Sequence, residues 1–307
     1  MKTFTDEIKY SFLPRYGALA EIIILNVGLY VVLGLVGLTF FFAGSYGIFE
    51  GFVREYLSLP SNLGLLLFRP WTIISYGFLH FPEAVFHIAF NMLWMFWIGR
   101  ILAEYISQRN KHIWSLYMWG VLAGAVFYLL ATNLFPIFRG TNFFLNGASA
   151  GVTAIIVGTA TLVPDATIFL LFFGAVRLKW LALVFVLLDV LMLPAGNPGG
   201  RIAHLGGAFI GFLYISQLQK GSDWGILYDK IQALFRPKPK PRMRVVSSRV
   251  ATPSQPTGKA SASSPQPQQA GKPSQQEIDR ILDKIQSVGY ENLTTEEKQT
   301  LYNAGKE

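Results

Sequence analysis

The chain of 307 residues is 52% hydrophobic and 15% aromatic but only 14% charged, with a mean hydropathy of +0.39, a net charge of +8 and no cysteine. A soluble domain carries about 25% charged residues, so this chain has more apolar surface than one soluble core can hide, and a bilayer is its expected solvent. Without cysteine there is no disulfide scaffold, thiol nucleophile or thiolate metal site, and a basic last third marks the cytoplasmic side of a membrane protein rather than a nucleic-acid surface.

A helix needs about 20 apolar residues to cross a bilayer. The uncharged stretch 22–43 is long enough, and too long for the apolar part of a cleaved signal, so it reads as a retained first span. The second is 84–99, extended at its start by 76–81, and the third is 113–135. The fourth lies within the uncharged stretch 140–164 and starts near Gly147. The fifth is 180–193 and the sixth 202–218. Residues 166–176 are apolar but too short to span, and Arg177 and Lys179 separate them from the fifth; they read as an interfacial turn. The fold class is therefore all-α, a polytopic bundle of six membrane helices.

Short loops rich in Lys and Arg stay on the cytoplasmic side. With the N-terminus inside, the inner side holds Lys2, Lys9, Arg15, Arg100, Arg109, Lys111, Arg177, Lys179 and Lys220. The outer side holds Arg54, Arg69, Arg139 and Arg201. Both termini are expected in the cytoplasm. The long first outer loop, 44–81, carries Tyr46, Phe49, Phe52, Tyr56, Phe68 and Trp71, aromatics of the kind that sit at headgroup level, so it reads as folded and half immersed.

The membrane core is placed at residues 1–230. Residues 236–274 are rich in Pro, Ser, Gln, Lys and Arg and read as a disordered linker. Its Lys238, Lys240, Arg242 and Arg244 suit anionic lipid or a specific partner. Residues 275–307 recover helical periodicity through Ile278, Ile281, Leu282 and Ile285. Gly289 stops that helix, and Thr294 or Thr295 with Glu296 and Glu297 caps a second. This small cytoplasmic hairpin has no catalytic constellation.

Polar groups inside a span are costly and mark function. The fourth span opens with Asn146-Gly147-Ala148-Ser149-Ala150-Gly151, a G-x-S-x-G pattern. Gly147 and Gly151 admit close backbone approach, and Ser149 at a helix start lies beside free N–H groups able to receive an oxyanion. The same run also serves plain helix packing. The sixth span carries His204, with Gly207 and Gly211 at i+3 and i+7 forming a small-residue seam on its face. The second carries His87 and Asn91 at i, i+4, on one face. A metal is one use for that pair, but no third ligand has suitable spacing; donating to an oxyanion is the better one. All four groups lie near the outer ends of their helices.

This arrangement resembles the rhomboid family of intramembrane proteases over residues 15–220. The resemblance rests on Arg69-Pro70-Trp71, His87-x-x-x-Asn91, Gly147-x-Ser149-x-Gly151 and Ala203-His204-x-x-Gly207-x-x-x-Gly211. It implies a six-helix core and a Ser149–His204 dyad in a water-filled cavity below the outer surface. It also implies an oxyanion hole from His87, Asn91, the Ser149 N–H and neighbouring backbone at Ala148. The implied activity is cleavage of membrane-protein substrates within a transmembrane segment, without metal or cofactor. The implied setting is a bacterial inner membrane, since the hairpin looks like an appendage of some bacterial rhomboids.

The chain departs from the family at Thr153, where many relatives place an aromatic that stacks on the histidine. His80, seven residues before His87, reads as a loop residue that binds water. Asp189 in the fifth span is a candidate triad acid, but the resemblance implies a dyad, and the plainer reading is a carboxyl facing the cavity or a donor on a neighbouring helix. A non-catalytic relative that escorts membrane proteins is the alternative; such relatives usually lack the serine or the histidine. A transporter would need an internal repeat and charges or broken helices at the midplane, and this chain has no repeat. Oligomeric state and natural substrate are not encoded legibly.

Overall fold

The computed structural model describes residues 17–82, 84–170, 174–235, 275–288 and 293–304. The chain divides into two compact units, 1–239 and 240–307.

In the first unit, the uncharged run at the start forms α1 (Ala18–Phe42), and the second and third spans form α5 (Val85–Tyr105) and α6 (Arg109–Leu134). These three helices are long and apolar enough to cross a membrane unaided. The fourth and fifth spans are α7 (Ser149–Leu162) and α8 (Leu178–Leu191), at 14 residues each about 21 Å long. The sixth is α9 (Pro198–Gln219). All six expected spans have a helical core, which makes the unit an all-α membrane bundle, but the expected extension of the second at 76–81 is not part of it: a 3₁₀ turn at Tyr76–Phe78 precedes a helix that begins at Val85.

Burial separates the roles of these helices. Ten of the fourteen α7 residues are buried, so α7 is the central helix and faces protein on nearly every side. Helix α1 is the opposite case. It exposes Leu25, Val31, Val32, Leu35, Leu38 and Phe41, an apolar surface that only lipid can cover. Between α7 and α9 the backbones nearly touch: a Cβ on Gly211 would lie 2.5 Å from the Ala154 carbonyl oxygen, and one on Gly207 would collide with the Ala150 carbonyl. Small residues allow that approach, and van der Waals packing is what joins helices in lipid.

The long loop between α1 and α5 is folded, as its aromatics implied. It holds α2 (Tyr46–Leu57), β1 (Leu59–Pro60), α3 (Leu63–Phe68) and α4 (Thr72–Ser75), then a 3₁₀ turn at Tyr76–Phe78. Phe49 and Val53 bury one face of α2 against Leu79, with Phe40 of α1 beside Phe49, ring centroids 5.6 Å apart. The Arg69-Pro70-Trp71 run docks on the end of α2. Arg69 donates to the Glu55 carbonyl at 2.7 Å and lies 4.3 Å over the Tyr56 ring, and the Trp71 indole donates to the Tyr56 carbonyl at 2.7 Å. Strand β1 then pairs antiparallel with β2 (Phe144–Leu145), Leu59 opposite Leu145, fixing the loop over the start of α7.

One expectation is corrected. The apolar stretch at 166–176 is no simple turn. It forms β3 (Thr167–Leu170) and β4 (Gly174–Arg177), an antiparallel pair with Thr167 opposite Arg177. The period-2 exposure along β3 reflects a half-buried ribbon. At its base Asp165 accepts from Lys179 at 2.7 Å.

On the side where α6 begins, Lys111 pairs with Asp223 and with Asp229 of a short α10 (Ile226–Phe235), each at 2.5 Å. Burial would raise the Asp223 carboxyl, but the Lys111 ammonium and the Gly225 N–H hold it below the usual carboxylate range.

The second unit contains α11 (Gln275–Val288) and α12 (Thr295–Ala304), with Ile281 and Leu293 buried in it. The linker 236–274 and Gly289 lie outside the described residues.

Candidate active site

The approach to α7 is held from two sides. Strand β2 delivers the chain, and the Gly147 N–H donates to the Tyr76 carbonyl at 2.9 Å. Gly147 has φ +123°, and a Cβ there would lie 2.8 Å from Cε1 of His87 and 3.7 Å from Oγ of Ser149. Only glycine suits both the dihedral and the space. Its absent side chain is what lets the His87 ring and the Ser149 hydroxyl share one place.

Helix α7 starts at Ser149, half-buried, with the first-turn N–H groups that no helical carbonyl reaches. Among the described residues the Ser149 hydroxyl makes no hydrogen bond. Thr153 donates to the Ser149 carbonyl at 2.8 Å, so it presents no ring to His204. Gly151 was expected to serve the same packing as Gly207 and Gly211. It faces the other way, with its Cα against the Tyr117 ring of α6.

Helix α9 is started by Asn197, whose side chain accepts from the Gly200 N–H at 3.1 Å, and by Pro198 at its first position. His204 follows within two turns. Its neighbour Ala203 presents its carbonyl to Gly124 of α6, and Gly124 also meets Ala150. Gly207, one turn later, meets the Ala150 backbone. Ser149 and His204 therefore each flank the closest approach of α7 and α9.

His204 meets Asp189, the candidate acid. Nδ1 of its ring lies 3.0 and 3.1 Å from the two carboxylate oxygens of Asp189 on α8. Asp189 is buried and has a second partner in Arg201, 3.6 Å away. Of the readings open to it, Asp189 takes the one that faces donors on a neighbouring helix, His204 and Arg201 of α9. A signal was present in the sequence: Asp189 ends one span and His204 lies near the start of the next, so both sit toward the same end of the bundle.

His87 and Asn91 share a face of α5 as their spacing implies. Asn91 is buried, and its Nδ2 lies 3.2 Å from Nε2 of His80. The Ala148 N–H reaches the same His80 nitrogen at 3.4 Å. Two N–H donors on one ring nitrogen require it to be the unprotonated acceptor. His80 is thus a loop residue, as expected, and its Nε2 is a buried acceptor behind the site, its ring edge-to-face with His87 at 5.3 Å. The Ala148 N–H, expected among the oxyanion donors, is turned to His80. The donors left open are the Ser149 N–H, the His87 ring and the second N–H of Asn91. Among the described residues no group of three or more His, Asp or Glu side chains could hold a metal ion.

Comparison with known proteins identifies a family. Residues 68–220 match the model of the Rhomboid domain, and residues 270–306 match a family of unknown function. RHOMBOID-like protein 12, mitochondrial, of Arabidopsis thaliana is 30% identical over 209 residues, 62% of this chain and 59% of that protein. The chain thus spans less than two thirds of that relative's length. No solved structure matches. The matched Rhomboid domain holds every residue of the constellation, from His80 to Gly211, and the chain belongs to the rhomboid family of integral membrane proteins.

Proposed function

We propose that this chain is an intramembrane serine endopeptidase that cleaves membrane proteins within a transmembrane segment. The observation that carries the reading is the placement of Ser149 and His204 beside the close Ala150–Gly207 contact of α7 and α9, with His87 across Gly147 from the serine. Ser149 attacks the scissile carbonyl and its proton passes to Nε2 of His204. The carbonyl electrons move to oxygen, where the Ser149 N–H, His87 and Asn91 receive the charge. His204 then protonates the leaving amine, and water releases the acyl-enzyme. The hydrogen bond between serine and histidine closes on the bound substrate, as is common where the free enzyme leaves it long.

The length of α7 supports a site below the membrane surface. About 21 Å of helix does not cover a hydrocarbon core of about 30 Å, so a start at Ser149 leaves room above it for a water-filled cavity. The substrate enters beside α8, which exposes Leu183, Val184, Leu187 and Leu188 along its middle. Residues 1–230 form the protease core, joined through the 236–274 linker to the cytoplasmic hairpin. The Lys and Arg distribution supports both termini on the cytoplasmic side, and we place the chain in a bacterial inner membrane.

The second reading is a catalytically weak relative that binds or escorts membrane proteins; Thr153 in place of a stacking aromatic favours it. A fluorescent serine-directed phosphonate and a transmembrane model substrate separate the two. Labelling and cleavage by wild type, both lost in Ser149→Ala and in His204→Ala, support the protease. A folded wild type that neither labels nor cleaves supports the escort.

A further inference from the structure

We infer that Asp189 is a positioning residue for His204, so that this chain works with a Ser149–His204–Asp189 triad. The inference rests on the protease reading of the site. Three observations carry it.

The first is geometric. Both carboxylate oxygens lie at hydrogen-bond distance from Nδ1 of His204, at 3.0 and 3.1 Å. An ionised carboxylate can only accept, so the shared proton resides on Nδ1. That leaves Nε2 with its lone pair, the nitrogen a serine base needs. The bond thus selects the useful tautomer and sets the plane of the ring.

The second is the cost of the carboxylate. Asp189 is buried on a helix whose neighbouring residues are Leu, Val and Phe. A charge in such surroundings persists only with partners. It has two, His204 and Arg201. Arg201 is itself tied by Nε to the Gly196 carbonyl at 3.3 Å, so the turn between α8 and α9 holds the guanidinium beside the pair.

The third is the side of the ring that lacks support. Thr153 points its hydroxyl back into α7. With no aromatic stacked on the imidazole from that helix, the orientation of His204 falls to Asp189.

In the reaction, the Ser149 proton moves to Nε2 as the Oγ–C bond forms. Nδ1 keeps its proton, and the Asp189 carboxylate stabilises the imidazolium without taking it. Other groups set the charge His204 sees. Arg201 lies on its own helix, and His87 of α5 is an electrostatic neighbour. Helix α7 has no ionisable side chain. On α6 the neutral Tyr128 is the nearest, while Arg109, Lys111 and His112 lie at the far end from Gly124.

The test uses the full chain in detergent micelles, with kcat and KM for a transmembrane model substrate measured from pH 5 to pH 9. Asp189→Asn is expected to lower kcat by about 10²–10⁴-fold with KM little changed, because the amide can donate to Nδ1 and favour the wrong tautomer. The midpoint of its residual pH–rate profile should move toward acid, since the charge that steadies the imidazolium is gone. Asp189→Glu should recover part of kcat and the wild-type midpoint. A ¹⁵N spectrum of wild-type His204 should show the proton on Nδ1, which tests the bond even if a variant misfolds. A folded Asp189→Asn protein with wild-type kcat and pH profile overturns the inference, and so does a wild-type His204 protonated on Nε2 alone. If Ser149→Ala also retained activity, the protease reading itself would fail; with Ser149→Ala inactive, only the role of Asp189 is lost.

Discussion

His80 accepts a hydrogen bond from Asn91 across 3.2 Å inside the bundle, and the Ala148 N–H converges on the same nitrogen at 3.4 Å. One ring therefore fixes an expected oxyanion donor and the backbone just before Ser149. Deleting a buried hydrogen-bond partner costs about 1–3 kcal/mol, which in a transition state is about tenfold to a hundredfold in rate. His80→Ala should lower kcat by that factor and leave KM nearly unchanged. Asn91→Ala should cost about 10²–10³, and the double variant should lose clearly less than the product of the two factors. A double-mutant cycle shows this coupling; strict additivity would mean that His80 acts elsewhere.

The contact between Trp94 of α5 and Phe185 of α8 concerns entry to the site. The rings meet edge to face, centroids 4.9 Å apart at 87°. Helix α8 buries Leu178, Leu181, Ala182 and Asp189, and its middle is otherwise half-exposed. Phe185 lies one turn before Asp189 on the same face, so it clips α8 to α5 while Asp189 holds α8 to α9. An aromatic pair contributes about 0.5–1.5 kcal/mol beyond its area. Phe185→Ala should therefore raise cleavage of a transmembrane substrate by about two- to tenfold. Labelling by a small phosphonate should stay unchanged, because that probe does not need α8 displaced. A slower Phe185→Ala enzyme would place the entry route elsewhere.

Much of this was legible because lipid imposes a simple code. Each span stands out as an apolar run, and Ser149, His204, His87 and Asn91 stand out as polar groups within such runs. What escaped depends on packing between elements. Asp189 and His204 are brought together by how the 192–197 turn seats α8 on α9, which no spacing rule contains. His80 sits in a loop before α5, where a polar residue looks ordinary until the loop is folded beneath the site. The β3–β4 ribbon escaped because its short apolar strands lack the length and alternation that separate a strand from an interfacial turn.

The α7–α9 seam gives a prediction about precision. A Cβ on Gly207 would strike the Ala150 carbonyl, which belongs to the residue after Ser149 and lies one turn from His204. The helices must separate to admit it. Overpacking of this kind costs about 1–3 kcal/mol of stability, and a displacement of about 1 Å at the reacting groups costs on the order of a hundredfold in rate. Gly207→Val should lower Tm modestly and activity by at least that factor. Gly28→Ala is the control, since its added methyl meets nothing within 4 Å; both readings should stay at wild type. Equal small losses in the two variants would deny the seam its special role.

The hairpin of α11 and α12 should carry its own pH dependence. Thr294 and Glu297 form a reciprocal cap at the start of α12: the Glu297 N–H donates to the threonine hydroxyl at 3.3 Å, and the Glu297 carboxylate accepts from the Thr294 N–H at 2.8 Å. The carboxylate also accepts from Lys284 of α11 at 2.8 and 2.9 Å. The Lys284 ammonium first, and the Thr294 N–H second, hold the Glu297 carboxyl at about 2, below its ordinary 4.5. A carboxyl depressed in the folded state stabilises that state above its unfolded value, and the contribution disappears as pH falls through the folded one. Hairpin helicity should thus be flat from pH 7 to about 5 and decline between about 4.5 and 2. The ¹³C signal of the Glu297 carboxyl, followed in the intact chain in micelles, should titrate near the lower value. Lys284→Ala should bring the midpoint back toward the ordinary range. An ordinary midpoint in wild type would mean that neither the cap nor the ion pair forms in solution.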